Sequence, residues 1–504
     1  MKYLYSVPRK IFFLFFILLF CTAESKADNY VFEYDDNCNN AYHQFMSLHF
    51  DEGRAWIIKE IKAKPYNLMA TFIADYEDYM ILLLNCDPKD FEQRKDHLDI
   101  RMSLLDKGDR SSPWYRFCKA GLYLHWTMVY LRFEEQFKAA NTFRKSYSLL
   151  KENQSLYPDF EYNLIFSGIE EAVVGALPSN YKWIASILGI KGSIKKGIEK
   201  LTHFVNTHTE QQPLYHETLI YYLYTKFYFL SAQKEVWSIL NSEQFPTKDN
   251  LMNVYAKVYI GIDYFKADEV IKTLQEASKE KNYDYYPFFD FQMGAALYTS
   301  LDTNCLNYFN NYLRKNKSEI HIKDTWQKMA NTYYTQGKQE RANYCRAQIK
   351  KAGSTLLDVD KNAQRFADNN LPFPNSKLLQ ARLLLDGGYY TRAYSVLNSI
   401  SQSAIDNPVD KAEYYYRLGK VYEESGENTK AVEYFRNAIN VGKDRHEQFA
   451  ARAALHIGRI YELTGLKSQA LKSYNEALDM PYHDFQNSID QQAKAGINRV
   501  EDKM

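Results

Sequence analysis

The amino-acid sequence predicts an all-α protein, an extended, right-handed superhelical α-solenoid of stacked helix hairpins. Three observations point there. Helical periodicity, with almost no alternating strand pattern, runs from about Cys38 to the end of the 504 residues. Near the C-terminus, Gly419, Tyr422, Gly426, Ala431, Phe435 and Ala438 recur as Gly458, Tyr461, Gly465, Ala470, Tyr474 and Ala477, all at one offset of 39 residues. The third is an aromatic content of 16%, including 43 tyrosines spread evenly along the chain. Tyrosine buries a large ring and keeps its polar tip wet, which suits half-buried contacts between helices.

The chain opens on Lys2, Arg9 and Lys10 ahead of an apolar run from Ile11 to Phe20, with small residues at Ala23 and Ala27. That layout is a secretory signal peptide over residues 1–27, and the run is too short to span a membrane. The expectation is export to the periplasm or cell envelope, with no transmembrane segment in the mature chain. A lipid anchor at Cys21 is disfavoured, because Phe20 stands where a lipobox needs a small residue. Cys38, Cys86, Cys118, Cys305 and Cys345 show no metal-knuckle or C-x-x-C spacing, so buried thiols are expected. With 63 Lys plus Arg against 62 Asp plus Glu, no global field draws nucleic acid.

Residues 28–210 read as a divergent helical-repeat region. A first pair turns at Asp51 to Gly53, and a later one places Tyr130, Ala139 and Phe143 in register. Polar breaks fall at Asp106 to Pro113 and Asn206 to Pro213. The stretch "ALPSNYKWIASILGIKGSIKKGIEKL" combines a short apolar run, a G-x-x-G and several lysines. It reads as a corner in which Ser193 caps a helix that buries Ile194, Ile198, Leu201 and Val205. A phosphate nest at Gly189–Gly192 is the competing reading. Residues 211–323 carry divergent hairpins, the clearest with Gly294, Leu297, Leu301, Cys305, Phe309 and Leu313.

Residues 324–484 hold about four repeats. Ala330, Ala381, Gly419 and Gly458 are small, so the first helix of each pair can lie close to the second. Gly337, Gly388, Gly426 and Gly465 stand in the turns, where positive φ is needed. Residues 485–504 form a polar capping helix. This spacing resembles the tetratricopeptide repeat, W-x2-L-G-x2-Y, then Gly, then A-x3-F and Ala. The whole chain looks like exported bacterial proteins of that repeat family, notably through "LLQARLLLDGGYYTRA". The segment from Tyr123 to Leu201, with Leu177-Pro178, looks like the eukaryotic inclusion-body-clearance (TPR-39) family, from which the export signal departs.

The repeat resemblance implies a concave, peptide-holding groove lined by the first helices. Its groove positions fall on Asn331, Arg382, Lys420 and Arg459, with Tyr334, Leu378, Tyr416 and Leu455 as apolar footing. Three consecutive cations form a ladder suited to the carboxylates of a protein or peptide partner. Against this, Glu423 and Glu462 follow their cations by three residues and would pair with them on the helix.

Catalytic and metal signatures are incomplete. "YHETLI" lacks the second histidine of H-E-x-x-H, and "DVDKNAQRFADN" lacks the glycine and glutamate of a calcium loop. No cofactor is called for. The reading is a non-catalytic exported scaffold or adaptor, suited to an envelope assembly. The alternative is a small-molecule or glycan-binding periplasmic protein using an aromatic pocket near Tyr215 to Tyr224 or Tyr283 to Phe291. An enzyme would need a polar cluster at a bend, near His203, His208 and His216.

Overall fold

A computed structural model describes residues 29–177, 190–230, 232–369, 371–480 and 482–501. The signal segment, Cys21 and the apolar run Trp183 to Gly189 lie outside the described residues. Among those residues the chain is helical throughout, apart from a single β-bridge between Val31 and Asn67. The helices pair into antiparallel hairpins that stack in chain order into an α-solenoid. No described helix is long and apolar enough to cross a membrane.

The hairpin turns share one hydrogen-bond pattern. At Gly337, Gly388, Gly426 and Gly465 the chain takes φ between +72° and +85°. The glycine N–H returns to the carbonyl three residues back, and the next N–H returns five back, as in Gly426 to Glu423 and Glu427 to Tyr422. This is the Schellman close of a helix. Leu48, Glu134, Phe265 and Leu301 make the same pair of bonds at φ of +59° to +64° with no glycine.

Between its ends each hairpin is held by a small residue facing an aromatic ring. A Cβ added at Gly294, Gly419 or Gly458 would stand 2.5–2.6 Å from the ring of Phe309, Phe435 or Tyr474 on the second helix. The slots at Ala330, Ala342, Ala381, Ala393, Ala431 and Ala470 are fully buried. Cys305 fills such a slot, and all five described thiols are free and buried. Side chains supply several helix starts: Asn67, Ser193, Asn250, Asn375 and Asn407 each accept a backbone N–H of the first turn. Asp360 does this across helices, taking the N–H groups of His321 (2.8 Å) and Asp324 (2.9 Å). Its segment, likened above to a calcium loop, is the extra helix Asp358–Asp368 inserted between two repeats.

The two ends of the solenoid are built differently. From Cys38 to Ala296 one large core draws on both ends of the stretch, with a second cluster around Leu201, Leu223 and Val236 beside it, and the solenoid returns on itself. The carbonyl of Leu48 accepts from Asn282 Nδ2 (3.4 Å) and from the Tyr286 hydroxyl (3.3 Å). Helix Leu68–Asn85 touches helix Pro287–Thr299 across the turn. From Phe291 onward the core breaks into successive local clusters, so the C-terminal part is an arm whose layers touch mainly their neighbours, although the turn at Gly387–Tyr389 reaches back to Ala267 and Asp268.

A buried ionic network ties the N-terminal turn together. His125, wholly buried, lies with Nδ1 3.0 Å from Asp75 Oδ2 and Nε2 3.1 Å from Glu217 Oε1. Trp126 and Arg101 also donate to Asp75, at 3.0 Å each, and the hydroxyls of Tyr76 (2.5 Å) and Tyr221 (2.6 Å) donate to Glu217. Burial lowers the imidazole pKa, but Glu217 and Asp75 outweigh it and raise it to about 9. Tyr79 stacks on the same ring at 4.3 Å and adds no charge at neutral pH.

Two predictions follow from these contacts. Gly465→Ala meets no atom within 4 Å and strains only the backbone, about 1–2 kcal/mol. Gly458→Ala strikes the Tyr474 ring and costs more, about 3 kcal/mol. Trimming Tyr474 to Leu should rescue the second variant and not the first. Equal urea midpoints for the two single variants would remove the close-packing explanation. For His125, the folded ring titrates near 9 and a free one near 6.5. Its contribution is therefore complete below about pH 6.5 and lost as pH rises through about 9. The stability gap between wild type and His125→Gln should be roughly 3–5 kcal/mol at pH 6, the cost of stranding two buried carboxylates. That gap should shrink by pH 10, and a pH-independent gap in denaturant titrations would contradict the imidazolium.

Candidate functional site

The candidate site is the inner wall of the C-terminal arm. It is formed by the first helices of successive hairpins, Ile322–Thr335, Ser376–Asp386, Pro408–Glu424 and Phe449–Leu463, closed by the cap Gln486–Val500. Such a wall has every first helix presenting one face inward, so side chains at equivalent repeat positions form rows.

The predicted residues divide in two. Leu378 and Leu455 are 1% and 3% exposed, inside the hairpin cores, and offer a partner no surface. Tyr416 is buried against Phe435 and Phe449, with its hydroxyl 3.4 Å from His456 Nε2. Asn331 is buried too, and its Nδ2 donates to the Tyr298 hydroxyl at 3.0 Å. These four are packing residues, which corrects the expected apolar footing at Leu378, Tyr416 and Leu455 and the expected groove position at Asn331. Tyr334 stays half-buried and stacks on Phe373 at 4.5 Å. Arg382, Lys420 and Arg459 remain on the wall, half-buried.

Their charges are not equivalent. Lys420 is paired twice, with Glu423 at 2.8 Å and Glu424 at 3.1 Å. Burial pulls its pKa down, but the two glutamates raise it overall. Burial, with Lys420 and Arg459 nearby, brings His456 down to about 4, so the ring beside Glu423 is neutral at physiological pH. Arg459 has no such pairing. The glutamate three residues on, Glu462, is held by Arg499 of the cap through two bonds of 2.7 and 2.9 Å. Arg459 donates instead to the neutral Gln492 (2.6 Å). Arg452, which the sequence reading missed, donates to Gln448 (2.6 Å) and lies over the Phe485 ring. Its signal is its place seven residues before Arg459, two helical turns away on the same face. Arg382, Arg452 and Arg459 make no ion pair with any described residue. Arg382, Arg452 and the Glu413-paired Arg417 all act on Asp386, whose carboxyl is raised by burial, so one wall joins three layers.

Other clusters are self-contained. Asp35, Cys38 and Glu60 bring donor atoms within 4.8 Å of one another. Lys64 already binds Asp35 at 2.8 Å, Asn67 and Asn37 bind Glu60 at 2.7 and 2.9 Å, and burial pushes the Cys38 thiol up. The donors are thus spent on joining the first two hairpins. His203 and His208 both approach Glu161, at 3.6 and 3.5 Å, whereas His216 packs on His43 elsewhere, so the three histidines form no common cluster.

Residues 410–481 match the tetratricopeptide repeat family. Among solved structures, the chain is similar to one in the APC/C hetero-tetramer Cut9–Hcn1, at 10% identity over 92% of this chain and 95% of that one, with a TM-score of 0.30. It is also similar to the TPR domain of P58(IPK), at 11% identity over 85% of this chain and 99% of that one, with a TM-score of 0.21. No curated protein matches the chain.

If Arg499 is what keeps Glu462 from Arg459, a double-mutant cycle on Arg459 and Glu462 should give a coupling near zero in the wild type. In an Arg499→Ala background it should rise to about 0.5 kcal/mol, the size of an exposed helical pair. A coupling already present in the wild type would contradict the assignment.

Proposed function

We propose that the chain is a non-catalytic scaffold of the periplasm or cell envelope that holds an acidic segment of a protein partner along the inner wall of its C-terminal arm. The observation that carries this reading is a set of guanidinium groups outside any ion pair among the described residues: Arg382 on helix Ser376–Asp386, and Arg452 and Arg459 together on helix Phe449–Leu463, with the Asp386 carboxyl shared by Arg382, Arg452 and Arg417. An unpaired arginine on a concave surface keeps its fork of donors free for a carboxylate, and a ligand that supplies one recovers a charge-assisted, two-point bond. Stacked helical repeats provide the extended face along which such contacts repeat at fixed spacing. The tetratricopeptide match at 410–481 falls on the layer that carries Arg452 and Arg459 and supports a protein partner. The signal-like residues 1–27 support the envelope location.

The test uses the full mature chain and a fluorescein-labelled peptide rich in Asp and Glu, with a Lys-rich peptide as control. Changing Arg382, Arg452 and Arg459 together to Glu should weaken the acidic peptide at least thirtyfold. The same reversal of the paired Lys420 should weaken it by only a few-fold. Affinity should also fall steeply with salt, as exposed charge pairs do. Unchanged affinity in the triple variant, with an unaltered melting curve, would rule the wall out.

A further inference from the structure

Aromatic residues outside both of the tyrosine runs singled out in the sequence line a pocket in the arm. A cavity of about 440 Å³ is bounded by three helices: the second helices of two successive hairpins, Cys305–Lys315 and Gln339–Gln348, and the first helix Ile322–Thr335. That volume falls within the range of about 300–1,000 Å³ usual for small-molecule sites. Trp326, Tyr333 and Tyr344 line it, together with the buried Met329 and Cys345. Asn310, Glu340 and Arg341 complete the lining.

Trp326 and Tyr333 stand at packing positions of the repeat, half-buried against the neighbouring cluster. Tyr344 does not: its side chain is 61% exposed. It meets Trp326 edge-on, with centroids 6.3 Å apart and the ring planes at 79°, so the two rings form an aromatic corner. The polar tips beside that corner are uncommitted. The side chains of Glu340 and Arg341 make no hydrogen bond or ion pair with any described residue, and Arg341 lies over the Tyr333 ring at 5.6 Å. Asn310 spends its Nδ2 on the Leu306 carbonyl (2.7 Å), which leaves Oδ1 as an acceptor.

We infer that this pocket binds a neutral hexose unit, free or within a glycan, with one sugar face in the corner of Tyr344 and Trp326 and its hydroxyls bonded to Asn310, Glu340 and Arg341. A pyranose has an apolar C–H face and a rim of hydroxyls that both donate and accept. Aromatic rings cover the first with a large, rigid contact area. Asn310 Oδ1 and Glu340 accept from the second, and Arg341 donates to it, the bonds to charged groups being the stronger ones. Glu340 and Arg341 are the only charged residues of the lining and cancel, which favours a ligand without net charge. A proline-rich segment would find the same rings. It carries carbonyls but no N–H at proline, so it would leave Asn310 Oδ1 and Glu340 without donors. A packing role for the rings needs no ligand, and the experiment separates the two. The site is distinct from the inner wall, since Arg382, Arg452 and Arg459 take no part in it.

The probes are glucose, galactose and mannose with their linear tetrasaccharides, titrated into the full mature chain by calorimetry and tryptophan fluorescence, and decaproline is the control peptide. Wild type should bind at least one sugar at a single site, with an affinity that salt leaves unchanged, unlike that of the acidic peptide. Tighter binding of a tetrasaccharide than of its monosaccharide assigns a glycan chain, and equal affinity assigns the single unit. Tyr344→Ala should weaken binding at least tenfold while leaving the melting curve unchanged. Tyr344→Phe, which keeps the ring, should retain it, and Glu340→Ala should weaken it a few-fold. The triple variant of Arg382, Arg452 and Arg459 should bind sugar as wild type does. The proposal is overturned if wild type binds none of the sugars, if decaproline binds in their place, or if Tyr344→Ala binds as wild type does. Should Tyr344→Ala fail to fold, Glu340→Ala decides, and an unchanged affinity there is equally fatal.

Discussion

Close approach within each hairpin is the constraint on which the architecture rests. Gly419 against Phe435 and Gly458 against Tyr474 leave no room for even a methyl group, so the paired helices touch along a narrow, ring-filled seam. A hairpin closed this way hides its inner rings but still shows an apolar flank above and below. It gains stability only when a neighbour covers that flank. Stacking in chain order follows, and the inner face of the stack is left to residues that pack against nothing. That leftover face is where uncommitted charge collects.

The same rule gives different results at the two ends because the stack closes on itself at one of them. In the N-terminal turn, Leu48 reaches Asn282 and Tyr286, and side chains from opposite layers meet in the middle. Polar groups brought inward there have lost water on every side, which favours combinations such as Asp75, His125 and Glu217, where each charge faces its opposite. In the arm nothing closes the stack. Inner-face charges keep some water, so an arginine such as Arg459 is tolerated outside any ion pair.

The fold was legible where sequence and turn chemistry coincide. Gly337, Gly388, Gly426 and Gly465 mark their turns because a left-handed residue is cheapest as glycine. Leu48, Glu134, Phe265 and Leu301 make the same turn at positive φ, which is why the upstream hairpins show no glycine period. The helix Asp358–Asp368 breaks the repeat spacing, and it resembles a metal loop because its acidic residue caps a neighbouring helix. In the site, repeat spacing placed Arg382 and Arg459 on the wall, but it could not separate wall from seam at Leu378, Tyr416 and Leu455, which lie only a turn or less away on the same helices. Nor could it place Glu462, whose helical neighbour suggested one partner and whose tertiary neighbour, Arg499, is another. His125 and Glu217 are 92 residues apart and meet only in the folded turn.

Counting cations therefore does not identify the site. Lys420 and Arg459 occupy equivalent positions, yet one has two carboxylates within 3.1 Å and the other faces an amide. What distinguishes them is the competitor: the capping helix takes the glutamate that would have neutralised Arg459. There the fold holds a guanidinium partly away from water and withholds its counter-ion. A partly desolvated, unpaired charge costs free energy in the empty protein, and a ligand carboxylate or phosphate removes that cost when it arrives.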